Sequence, residues 1–270
     1  MIDVVCVYTK PELVQQMKQS ALENGGYADV NFILLDNTSG RFSSAAQAYN
    51  YALCHECKSE VIIFCHQDIV FYENAVIAVY NLCQKNENVL YGAAGAVSNR
   101  CLLLCHVPRL YSHIWQGTGQ NTFRYESLSA GEIRDVFTLD ECLIAANRKL
   151  FDTVRFDEQT CDNWHMYAVE LSLQCHVKRI PVCVFDANVL HLSMGVITPS
   201  FYATVEKVVA KYKKHFKVIV YPCGGVYTGP VLFFVYKVYR KYYKVLRHFN
   251  LYRVIRKAVQ KKKEKTVKNR

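Results

Sequence analysis

The chain reads as an α/β protein: a mainly parallel central sheet flanked by helices, with a basic helical extension at its C-terminus. Three observations predict this. Strand-like apolar runs alternate with amphipathic stretches through the first third of the chain. Val61–Cys65 is an unbroken apolar run, as expected of a strand buried on both faces of a parallel sheet. Charge is also divided: residues 1–206 hold 14 Lys+Arg against 22 Asp+Glu, whereas residues 207–270 hold 19 against Glu264 alone. The net charge of +10 therefore belongs to the tail, and whatever the tail binds is anionic.

Asp3–Tyr8 is the first strand. Pro11–Glu23 has helical spacing, with proline in the first turn, where its missing N–H costs nothing. Val30–Leu35 is the second strand, closed by the turn residues Asp36-Asn37-Thr38-Ser39-Gly40. Ser43 is the expected N-cap of a helix running through Cys57. The Val61–Cys65 strand follows, then a helix over Glu73–Lys85 and a strand near Val89–Ala94. This βαβαβαβ order implies parallel pairing with right-handed crossovers. Residues 98–135 are less periodic, and Trp115–Gln120, with Gly117 and Gly119, is either a structural turn or a lid. Val136–Ala146 returns to strand-like composition. Asp162–Cys175 predicts a helix, Val182–Leu190 a strand leading into His191, and Ser200–His215 an amphipathic helix.

Beyond the break at Pro222–Pro230, Val231–Val259 places Lys237, Arg240, Lys241, Lys244 and Arg247 on one stripe. Val235, Val238, Tyr239, Tyr242, Val245, Leu246 and Phe249 form the opposite face. Such a helix suits an anionic bilayer surface, or it packs on the acidic body. Lys261–Arg270 is expected to be solvated and disordered.

At 270 residues and 51% hydrophobic, the chain can bury a sizeable core. Its N-terminus has no basic n-region, and no run of about 18 apolar residues occurs, so neither a secretory signal nor a spanning helix is expected. The expected location is cytoplasmic, peripheral at the inner face of the cytoplasmic membrane. Of the twelve cysteines, Cys6, Cys65, Cys142 and Cys183 lie in apolar contexts typical of reduced core thiols. Cys54-His-Glu-Cys57 is a lone pair, with no second pair at zinc-finger spacing.

The apolar run of residues 61–65 stops at His66-Gln67-Asp68. Ligands of open α/β sheets bind outside the carboxyl ends of the strands. Two residues apart at such an edge, His66 and Asp68 reach one hard cation or a sugar nucleotide; a turn with a surface aspartate is the other reading. Tyr8-Thr9 and Asp36-Asn37 end the neighbouring strands, so the three ends build a pocket for a base, a ribose and a phosphate-bound metal. Neither GxGxxG nor GxxxxGK[ST] is present, so the phosphate is expected on a metal rather than in a glycine cradle.

Val4–Thr9, Leu35–Gly40, Ser43–Ala52 and Phe64–Asp68 resemble the nucleotide-binding half of family-2 glycosyltransferases. More narrowly, they resemble the bacterial branch related to the StrF domain of streptomycin biosynthesis, in which HQD replaces DXD. Thr138–Arg148, Val154–Glu158 and Asn163–Tyr167 with Glu170 resemble that branch's acceptor region, and Val189–Gly195 its closing histidine motif. The resemblance implies a GT-A (nucleotide-diphospho-sugar transferase) fold over residues 1–215, with 216–270 as the basic, aromatic-rich extension. It further implies a nucleotide-sugar donor, a glycan or lipid-linked glycan acceptor, inversion, and a Mg²⁺ or Mn²⁺ ion on the diphosphate.

Carried over by position, Tyr8 and Asp36 would contact the base, with Thr9 beside them and Asn50 supporting the pocket. Asp68 would touch the ribose or the metal. His66 stands at the first acidic position of DXD, and imidazole, a softer ligand than carboxylate, suits Mn²⁺ better than Mg²⁺. His191 completes the metal site, touches the diphosphate, or is a core histidine near a strand end. The family's acidic ED base falls on Tyr167-Ala168. The base is therefore expected at Asp162, at the helix N-terminus, or at His165 one turn on; Asp162 reads equally as a bare N-cap. Asp140, Glu141 and Trp164 would meet the acceptor, although the two carboxylates also read as salt-bridge partners.

Other classes remain. One is a degenerate transferase, since the ED pair is missing. A nucleotidyltransferase is disfavoured because Pro11–Gln19 lacks a glycine- and lysine-rich loop. A protein acting through its basic tail on membrane or nucleic acid is the third, but the acidic body argues against a specific nucleic-acid footprint.

Overall fold

The computed structural model describes residues 1–97, 108–129, 131–193, 195 and 197–248. From the N-terminus run β1 (Ile2–Tyr8), α1 (Pro11–Asn24), β2 (Val30–Asp36), α2 (Ala45–His55) and β3 (Val61–His66). These strands pair in parallel with β1 in the middle, so that Tyr8 lies beside Asp36 and Val7 beside His66. The cap of α2 is Ser44, not Ser43: its hydroxyl accepts Gln47 N–H at 3.1 Å, while the Ser43 amide donates to the Gln47 side chain at 2.8 Å.

Next come β4 (Ile69–Phe71), α3 (Ala75–Lys85), β5 (Leu90–Gly92) and β6 (Ala94–Val97). The single strand expected at Val89–Ala94 is thus two, because β6 leaves the main sheet for another. The hairpin β7 (Arg109–Gln116) and β8 (Phe123–Glu126) follows. Trp115–Gln120 is the end of β7 and its turn. Gly117 there has φ +109°, and a Cβ on it would lie 2.3 Å from the Asn121 carbonyl, so only glycine fits.

The second half holds β9 (Arg134–Asp135), β10 (Thr138–Leu139), β11 (Leu143–Asn147), α4 (Leu150–Thr153), α5 (Tyr167–Val177), β12 (Val182–Val184) and β13 (Val189–His191). The strand expected over 136–146 divides into β10 and β11, and that over 182–190 into β12 and β13, with Asn188 in the left-handed region at φ 43°. The helix expected from Asp162 begins at Tyr167, after Met166 at φ 66°. Then follow α6 (Pro199–Tyr212), the hairpin β14 (Val218–Tyr221) and β15 (Gly224–Tyr227), and α7 (Pro230–His248). The expectations for Phe249–Val259 and Lys261–Arg270 lie outside the described residues.

The main sheet has the order β2-β1-β3-β11-β5-β12-β9. β11 is antiparallel to both β3 and β5, and β9 to β12; the other five strands share one direction. A second sheet, β10-β6-β7-β13-β4, wraps the carboxyl edge, and β13 pairs with β4 so that His191 lies opposite Ile69. That register carries a residue from late in the chain to the end of β3.

Successive strand residues face opposite sides. Val4, Cys6, Ile63 and Cys65 pack under α1 and α3, against Met17, Val76 and Val79. Val5, Ile62 and Phe64 pack under α2 and α5, against Ala48, Ala168 and Leu171. Both faces are buried, which is why these strands are apolar throughout. At the amino edge, the wholly buried Asp3 accepts 2.8 Å hydrogen bonds from Lys58 N, Ser59 N, Ser59 Oγ and Asn31 Nδ2.

The helix α7 packs on the body through Phe233 and Tyr236, with Arg240 3.6 Å from the Tyr202 ring and Lys237 paired to Glu206 at 2.8 Å. The facing expected from sequence is therefore revised. Part of the basic stripe meets the body, and Val231, Phe234, Val238 and Tyr242 face outward.

Candidate active site

β3 ends at His66, and the chain turns at once into β4, so Gln67 and Asp68 cap the carboxyl edge. Gln67 Oε1 accepts the amides of Thr9 and Lys10, each at 2.9 Å, tying the end of β1 to that of β3. The Asp68 carbonyl accepts Leu192 N–H at 3.0 Å, which anchors the residue after His191.

The ligand-type atoms of His66, Asp68 and His191 all lie within 4.8 Å of one another, the one such group of three among the described residues. His66 Nδ1 is 3.4 Å from His191 Nε2, and Asp68 Oδ1 is 3.5 Å from His191 Nε2 and 3.9 Å from His66 Nδ1. The tautomer of His66 follows from its other nitrogen. Tyr167 Oη donates its single proton to the Glu141 carbonyl at 3.0 Å, so at 3.0 Å from His66 Nε2 it accepts. Nε2 therefore carries the hydrogen, and the Nδ1 lone pair points at Asp68 and His191.

Burial, then the neighbouring His191, push His66 down to about 4, leaving a neutral imidazole at neutral pH. Burial alone would raise the Asp68 carboxyl, but the His191 hydrogen bond and both imidazoles outweigh it and hold it below the usual range. Two imidazoles and one carboxylate within 4.8 Å of one another, with His66 held from behind by Tyr167, suit a borderline divalent cation such as Mn²⁺, which would take the place of the His191 proton.

Two cavities meet here. One, of about 410 Å³, is lined by Thr9, Asn37, Tyr49, Gln67, Asp68 and Trp164. The other, of about 600 Å³, is lined by Asp140, Glu141, Trp164, His165, His191 and Phe201, among others. His66 belongs to both walls. Their sizes are those of small-molecule sites.

Of the residues singled out from sequence, His66, Asp68 and His191 come together, and Thr9 joins His66 and Asp68 on the first cavity. Asp140, Glu141, Trp164 and His165 line the second, where His165 Nε2 is 3.0 Å from Thr198 Oγ1. Tyr8 and Asp36 are neighbours at the ends of β1 and β2 and line neither cavity. Burial and the Asp36 charge raise the Tyr8 hydroxyl, and the Asp36 carboxylate accepts Thr38 N–H at 2.8 Å. Asn50 lines neither cavity; its amide ties α2 to the Phe156 carbonyl at 2.8 Å and to Glu158 at 2.7 Å. Asp162 also lies off both, exposed and paired with Lys207 at 2.5 Å, and it is not at a helix N-terminus.

Sequence reasoning placed Asn37 at a pocket-forming strand end without giving it a role, and passed over Tyr49 and Tyr167 as site residues. Asn37 closes its turn by accepting Phe42 N–H at 2.7 Å while lining the first cavity, and its place in the turn cluster was the available signal. For Tyr167 the signal was its place at the missing ED pair.

A search of curated proteins finds no match to the sequence. In fold the chain is similar to the crystal structure of GalNAc-T7 with UDP, GalNAc and Mn²⁺, at a TM-score of 0.53 and 11% identity over 79% of this chain and 48% of that one. The chain thus spans about half the length of that structure, and the likeness is one of fold: a GT-A sheet flanked by helices. Residues 4–217 match the model of a glycosyltransferase-like family, and with most of its length in that match the protein belongs to this glycosyltransferase family.

Proposed function

We propose that the protein transfers a sugar from a nucleoside-diphosphate donor to a hydroxyl of a glycan or lipid-linked glycan. The observation that carries this is the His66–Asp68–His191 group, set where two cavities meet at the carboxyl edge of a GT-A sheet. The smaller cavity, with Thr9, Asn37 and Asp68, takes the nucleotide, and the larger one the acceptor. His66, Asp68 and His191 would hold Mn²⁺ or Mg²⁺, which when bound neutralises the charge of the departing diphosphate. HQD then serves in place of DXD, as in the StrF-like bacterial branch the sequence resembles, and that resemblance implies inversion. Calorimetric titration with UDP, GDP and CMP, with and without Mn²⁺, tests the reading. Manganese-dependent binding of one nucleotide, lost in Asp68→Ala, is expected; no binding by any of them would favour a degenerate transferase.

The same reading places the protein at an anionic membrane surface, cytoplasmic and peripheral at the inner face of the membrane. The outward stripe of α7 supports this: Phe234 is 67% and Tyr242 49% exposed, beside the exposed Lys241. Among the described residues no helix is long and apolar enough to cross a membrane. Flotation with phosphatidylserine vesicles but not phosphatidylcholine vesicles, weakened by Phe234→Glu, is the expected result. Equal flotation with both would remove the electrostatic part of the reading.

A further inference from the structure

The ED pair of the family falls on Tyr167-Ala168, and the one acid in the first turn of α5, Glu170, is wholly buried and held by Gln174, Lys211 and Tyr212. Met166, the residue before that helix, makes no side-chain capping bond. The carboxyl that the Met166 and Tyr167 amides face comes instead from Glu141, in the β10–β11 connection. Its own main-chain carbonyl accepts the Tyr167 hydroxyl at 3.0 Å, which clamps the connection to the helix start. Glu141 is half-buried on the wall of the larger cavity, which also contains His66, Asp140 and His191. Its Oε1 is buried with no hydrogen-bond partner.

The other candidates on that cavity each have one polar atom engaged by the protein. Asp140 Oδ1 accepts Cys142 N–H at 3.0 Å, and His165 Nε2 is occupied by Thr198 at 3.0 Å. Asp162 lies outside the cavity, paired with Lys207. A buried carboxylate oxygen without a partner is costly to keep unless a substrate or reaction uses it.

We infer that Glu141 is the catalytic base, standing in for the acid missing at Tyr167-Ala168. This rests on the transferase reading above. As the acceptor oxygen bonds to the anomeric carbon of the sugar, its proton passes to a Glu141 carboxylate oxygen. The bond from that carbon to the diphosphate breaks, and its electron pair leaves with the nucleoside diphosphate. Solvent later takes the proton from Glu141. Burial, then the charge of Asp140, raise this carboxyl to about 8 against the pull of the two amides, so once ionised it is a stronger base than an ordinary glutamate and turnover is expected to rise with pH through about 8.

The test compares the full-length wild type with Glu141→Gln and Glu141→Ala. Each is incubated with Mn²⁺ and a panel of UDP-sugars and GDP-mannose, and release of the nucleoside diphosphate is followed. Both variants are expected to lose about 100-fold or more in turnover, while calorimetric affinity for Mn²⁺ and UDP or GDP stays at the wild-type value. Sodium azide is expected to restore release in Glu141→Ala, since an anionic nucleophile has no proton to lose. Undiminished turnover in Glu141→Gln, loss of nucleotide affinity in step with turnover, or failure of azide to rescue would each overturn the assignment to Glu141 alone. A wild type that binds no nucleotide and hydrolyses no donor would overturn the transferase reading, and the assignment with it.

Discussion

The two edges of the central sheet handle buried carboxyls in opposite ways. At the amino edge, Asp3 is wholly buried and receives four hydrogen bonds from three residues, so nothing remains for a ligand to satisfy. At the carboxyl edge, Asp68 faces the His66 and His191 imidazoles, and Glu141 keeps an unpartnered oxygen. A saturated carboxylate holds the fold together, and an unsaturated one is held in place for something that arrives later.

Four substitutions probe the contrast. The largest effect on stability is expected at Asp3→Ala, which strands buried donors on Lys58, Ser59 and Asn31. A loss of about 4 kcal/mol in urea unfolding would fit this, and a loss under 1 kcal/mol would mean the amino edge is not saturated in solution. Asp68→Ala is expected to leave unfolding nearly unchanged while lowering Mn²⁺ affinity by more than about 100-fold. A large stability loss there would erase the distinction between the edges.

Glu141→Gln tests the cost of the unsaturated side. The folded-state pKa of Glu141 is raised from 4.5 to about 8, so the folded protein retains a proton that the unfolded chain has released. Stability from this group is full below about 4.5 and is lost as pH rises through about 8. Glu141→Gln removes that slope and is expected to stabilise the protein by about 4 kcal/mol at pH 8 and little at pH 4.5. Parallel melting curves for both proteins across this range would contradict it. The smallest effect is expected from Tyr167→Phe, which leaves His66 Nε2–H without its acceptor. Mn²⁺ affinity should fall by about 10-fold, with nucleotide specificity unchanged.

Much of the first half was legible because its signals are local. The apolar run at Val61–Cys65, the proline at the start of α1 and the turn cluster at residues 36–40 each state their own structure. Strand direction is not a local property, so the reversal of β11 could not be read from Val136–Ala146. The His66–Asp68 pair was visible at the end of a strand, whereas the approach of His191 depends on the pairing of β13 with β4. Asp162 misled because an aspartate ahead of an apolar stretch is a good N-cap signal. The true start of α5 has no local cap, and the carboxyl that faces its amides belongs to Glu141, from an earlier part of the chain.

The position of β11 also matters while the chain is being made. Until Leu143–Asn147 leaves the ribosome, β3 shows a bare edge that is apolar on both sides. At about 5–20 residues per second, that edge stays open for seconds, long enough to pair with a strand from another chain. Stalled nascent chains ending before Leu143 should therefore cross-link to holding chaperones more strongly than chains ending after Asn147. Equal cross-linking would mean that α2 and α3 shield the edge on their own.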